Sequence, residues 1–267
     1  MTTISGANNY TLATILSQTP NRQPATVGAN TTASGSTTDA AATTPVASGT
    51  TLAEAIAAAA NSAGYDFATV GQNARTVLNA GIAAYGQAPS TQTSENDWVK
   101  IFGGMDRRSL FAVSSNQGGQ FSPLEQSAAK QLMDNQLANA AGSNLSGSTD
   151  QQIAGYTAQV NLLNNASPEE KQTASWAYSM ADAQTAARMA DIDARMPQPS
   201  GGNSSVLNVM MGAMYSTRSQ ASSPVSFPSV SSLADITSQP WAQSYATQIE
   251  SAFAASYSPG TSYNVSI

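Results

Sequence analysis

Apolar residues recurring at three and four positions run through this chain from Leu52 onward, and that period leaves room for little besides helices. Phe67, Val70, Ala74 and Val77 form one stripe; Trp98, Ile101, Phe102 and Met105 form a second. Ile153, Tyr156, Val160 and Leu163 make a third, and Trp176, Met180, Ala183, Ala187 and Ala190 a fourth. Trp241, Tyr245, Ile249 and Phe253 complete the set. Strand-like alternation is nearly absent. In the one stretch that suggests it, "SPVSFPSV" at 223–230, Pro224 and Pro228 prevent a regular ladder. The expected fold class is all-α, a helical bundle of hairpins. Alanine is abundant in the stripes and buries little area at about 25 cal/mol per Å². Trp98, Phe102, Phe111, Phe121 and Trp176 must then carry much of the core.

Start signals agree with the stripes. "SPLE" at 122–125 and "SPEE" at 167–170 each offer Ser as N-cap, Pro at the first helical position and Glu for a capping box, so helices are expected to begin there. Residues 52–196 read as the helical core. Residues 197–240 read as an irregular segment rich in Pro, Gly and Ser, within which "SVLNVMMGAMY" gives a short Met-rich patch, either core filler or a surface that accepts a partner. Residues 241–267 read as a C-terminal helix and tail.

Ahead of the core, 22 of the 28 residues from 24 to 51 are Ala, Thr, Ser or Gly, with Val27 and Val46 the only large apolar side chains. Such a segment cannot offset an ordering entropy of about 1–2 kcal/mol per residue, and a disordered or extended tether is expected. Residues 1–23 hold Tyr10, Leu12, Ile15 and Leu16 at the spacing of a short amphipathic helix. These four are the expected partner-binding residues of a docking or export element; a terminus packed on its own core is the alternative.

The stretch "SSNQGGQFSPLE", 114–125, has the spacing of a calcium loop. In such a loop side chains at positions 1, 3, 5 and 12 and a backbone carbonyl at 7 supply oxygens, with Gly at position 6. Counting from Ser114 puts Asn116 at 3, Gly118 at 5, Gly119 at 6, Gln120 at 7, Ser122 at 9 and Glu125 at 12. With "DWVKIFGGMDRRSLFAV" before it and "PLEQSAAKQLMDNQL" after it, each read as one helix, the region 97–141 resembles an EF-hand whose ligand set is degenerate. The resemblance implies weak calcium candidates only, Ser114, Asn116, Gln120, Ser122 and Glu125, because Glu125 alone brings formal charge. A second helix–loop–helix follows through "NNASPEE", 164–170, so 97–193 reads as a pseudo-EF-hand pair or as two ordinary hairpins. The expected role of the loop is a tight turn, with Ser122 capping the outgoing helix and Glu125 reaching back to the cap.

Composition removes much chemistry. There is no Cys and no His, which excludes disulfides, thiolate chemistry, Cys or His zinc sites and imidazole-based catalysis. Only 10% of residues are charged, against roughly a quarter in ordinary domains. The net charge is −6, and Arg107–Arg108 is the only adjacent basic pair, so no nucleic-acid groove is expected. No stretch approaches the roughly 20 apolar residues that span a bilayer. The start, "MTTISGANNYTLATILSQ", has no basic n-region, so export is expected to be Sec-independent, to the cell surface or beyond; a cytoplasmic location is the alternative.

Catalytic candidates are thin. "SAAK", 127–130, has Ser-x-x-Lys spacing but lacks the companion elements of penicillin-recognising enzymes. Asp191 and Asp193 lie on nearly opposite sides of a helix, with Arg188 and Arg195 at ion-pair spacing from Asp191. Glu95, Asp97, Asp106, Glu125 and Asp134 surround the loop and could converge as glycosidase carboxylates, a minor alternative. The expected function is non-enzymatic, with no catalytic residue and no cofactor. The chain reads as a bacterial-type secreted or surface-associated protein acting through a protein partner or self-assembly, or else as an intracellular or virion assembly factor. Flagellar and other appendage subunits are similar to it in composition.

Overall fold

The computed structural model describes residues 51–190, 204–221, 227–228 and 230–256. The described residues form helices, turns and loops, and no strand occurs among them, so the protein is all-α. Tyr10, Leu12, Ile15 and Leu16, almost all of the 24–51 segment, and Asp191, Asp193 and Arg195 lie outside the described residues. The chain divides into two compact units, Met1–Leu132 and Met133–Ile267.

The first unit holds α1 (Leu52–Ala60), α2 (Phe67–Tyr85), α3 (Glu95–Phe102), α4 (Arg107–Ser114), a 3-10 turn at Gln117–Gly119 and the start of α5 (Pro123–Ala141). Helix α2 is its axis, packing against α1, α3, α4 and the 3-10 turn. It does so because Phe67, Val70, Ala74, Val77 and Leu78 all fall on buried faces. Phe67 stacks on Phe111 of α4 at 5.8 Å, while Trp98 and Phe102 of α3 pair at 5.6 Å. Gly81 lets α3 come so close that a Cβ there would sit 1.9 Å from the Ile101 carbonyl oxygen.

The expected single helix into the loop is a correction. Gly103 and Gly104 take left-handed φ of 59° and 80°, α3 stops at Phe102, and Asp106 begins α4 afresh. Asp106 is also a tie across the unit. One carboxylate oxygen accepts from the Ser62 N–H and hydroxyl, both at 2.7 Å, and the other accepts from the Ser109 N–H at 2.8 Å. Arg108 donates to the Ser62 and Tyr65 carbonyls, so the α1–α2 loop is held against the start of α4.

The second unit holds the rest of α5, α6 (Thr149–Asn164), α7 (Ala174–Met189), α8 (Ser204–Gln220), α9 (Leu233–Ser238) and α10 (Ala246–Ser256), with 3-10 turns at Gly142–Ser146, Glu170–Gln172 and Gln243–Tyr245. Its core gathers Leu163, Trp176, Met180, Leu207, Met210, Met214, Ile236 and Ile249. The Trp176 indole donates to the Leu163 carbonyl at 2.8 Å, which satisfies its one polar atom in the core.

Two expectations are corrected here. Residues 197–240 are not irregular throughout, since they contain α8 and α9, and Met210, Met211 and Met214 are core. "SPEE" does not open the long helix. Ser167 supports only a turn, accepting the Glu170 N–H at 3.2 Å, and α7 begins at Ala174 under a Thr173 cap.

Candidate functional site

The 114–125 loop is built from backbone conformations that few sequences permit. Asn116 has φ 54°, Gly118 φ 74° and Gly119 φ 70°. The left-handed region suits Gly and is tolerated by Asn, so "NQGG" turns the chain sharply between α4 and α5. The Asn116 side-chain oxygen accepts from the Phe121 N–H at 2.9 Å and fixes the far side of the turn. Helix α5 then starts in a capping box. Ser122 Oγ accepts from the Glu125 N–H at 3.4 Å, and Glu125 Oε2 accepts from the Ser122 N–H at 2.8 Å.

Arg75 of α2 closes the site. Its two terminal nitrogens donate to the two carboxylate oxygens of Glu125, each at 2.9 Å, and Nη1 also donates to the Gln120 carbonyl at 3.1 Å. The guanidinium lies 5.3 Å from the centre of the Phe121 ring. The side chains of Arg75 and Glu125 keep only 18% and 10% of their surface exposed. Burial pushes the Glu125 carboxyl up, but the hydrogen bonds and charge of Arg75 and the Ser122 N–H outweigh it and hold the carboxyl below its ordinary range.

The five calcium candidates are brought together around this turn, yet their oxygens face protein donors or do other work. Glu125 is engaged by Arg75, Asn116 by Phe121 and the Gln120 carbonyl by Arg75. The Ser114 hydroxyl donates to the Phe111 carbonyl at 3.1 Å, and Ser122 is the cap. Among the described residues no group of three or more carboxylates is placed to hold a metal ion. Arg75 is the participant that sequence reading missed. It lies 50 residues from Glu125 and carries no local signal.

Ser122→Ala should cost about 0.5–2 kcal/mol in unfolding free energy through the lost cap. Gly119→Ala should cost on the order of 1 kcal/mol for its left-handed φ. In the same melts, millimolar calcium should leave Tm unchanged, since a ligand stabilises only as far as it occupies the folded state. Stoichiometric calorimetric binding that vanishes in Glu125→Gln would show that the carboxylate exchanges Arg75 for the ion.

Of the other carboxylates named from the sequence, Asp134 lies in the middle of α5, while Asp97 and Asp106 serve separate helix starts. Asp97 accepts from the Ser94 hydroxyl and from Lys100 in the first turn of α3, and Asp106 caps α4. Ser127 stands exposed on α5. A second charged node lies in the second unit. Arg218 of α8 donates to Asp182 of α7 at 2.8 Å and covers the Phe227 ring at 4.5 Å. Chemically, both nodes are closed pairs that join helices. No family model matches the chain, and no curated protein or solved structure matches it significantly.

Proposed function

We propose that this chain is a non-enzymatic, bacterial-type secreted or surface-associated structural protein that acts through helical protein–protein contacts. The observation that carries this reading is how its scarce charge is used. Glu54, Asp66, Asp97, Asp106, Glu125 and Asp235 each accept hydrogen bonds at the start of a helix. They serve architecture, and a reaction centre built on carboxylates would need them elsewhere. Meanwhile Leu52, Tyr65, Val99, Leu145, Met189 and Tyr215 each expose more than a third of their surface. Such single apolar side chains are ordinary on a protein surface, so the use of charge carries the reading, in a chain of which only 10% of residues are charged.

Fractionation of the native host should recover the full-length chain in the supernatant or on the cell surface. A variant lacking residues 1–20 should remain inside while its helical body melts as before, because the docking side chains Tyr10, Leu12, Ile15 and Leu16 are gone. Recovery of the intact chain only inside cells would overturn the secreted reading in favour of an intracellular or virion assembly factor.

A further inference from the structure

We draw no further inference here: the strongest candidate, the charged side-chain cluster under the 114–125 turn where Arg75 Nε is buried without a hydrogen-bond partner, belongs to the site already described, closed there by the Glu125 carboxylate and the Gln120 carbonyl.

Discussion

Gly81→Ala should destabilise the first unit by about 3 kcal/mol, the upper part of the overpacking range, because the new methyl would land on backbone. The built Cβ lies 1.9 Å from the Ile101 oxygen, 2.7 Å from its carbonyl carbon and 2.9 Å from its Cα. None of these atoms can swing aside as a side-chain tip could, so α3 must back away from α2 and uncover Trp98 and Ile101. The matching control has the opposite sign. Gly212 sits inside α8, exposed, with nothing within 4 Å of a built Cβ. Gly212→Ala should therefore stabilise by about 0.5–1 kcal/mol through helix propensity alone. Urea unfolding followed by circular dichroism reads both. Equal stability of Gly81→Ala and wild type would mean the α2–α3 approach is wrong.

Arg75→Met should be the most damaging change at the loop, at about 3–5 kcal/mol, because it strands the Glu125 carboxylate in a nearly dry site. Glu125→Gln keeps the shape and still accepts from Ser122, so it should cost less. The pair also sets a pH signature. The Glu125 carboxyl is lowered in the folded protein, so its contribution is fully present above its unfolded value and drains away as pH falls through the lower, folded one. Without Arg75 only burial and the cap remain. Burial dominates, the folded carboxyl rises, and the variant should regain stability on acidification where the wild type loses it. Denaturation midpoints between pH 3 and 7 decide the matter; parallel curves for the two proteins would remove Arg75 as the group that holds the carboxylate.

What could be read in advance was whatever is written locally. The Phe67 and Trp98 stripes are buried as their spacing implies, as are Trp176, Met180, Ala183 and Ala187, though Ala190 at the end of that stripe is only half-buried. Ser122 caps α5 with Glu125 reaching back. Cap signals misled where one turn could satisfy them. Ser167 and Glu170 complete a single turn, then Thr173 resets the chain with ψ 151° and starts the helix that the Trp176 stripe needs. Helix α8 was hidden because Pro197, Pro199, Gly201 and Gly202 outweighed the inward spacing of Val206, Leu207, Met210, Met211 and Met214. The pairs that tie helices together were out of reach. Arg75 with Glu125 and Asp182 with Arg218 are 50 and 36 residues apart, and each arises only once packing has brought its helices side by side.

The caps have a consequence for how such a chain could travel. Thr51 with Glu54, Ser122 with Glu125, Ser148 with Gln151 and Ser232 with Asp235 close reciprocal hydrogen bonds across three residues. Asp66, Ser94, Asp106 and Thr173 cap over the same short reach. Eight helix starts among the described residues are thus specified by residues within three positions of one another, which would emerge together from any narrow channel. No distant segment has to arrive before a helix knows where to begin, and contacts of short sequence separation are the ones that form fastest. Were such a chain threaded through a channel, the place where these helices begin would be set as soon as their own residues emerged. The helices themselves would be held once they packed on their unit's core.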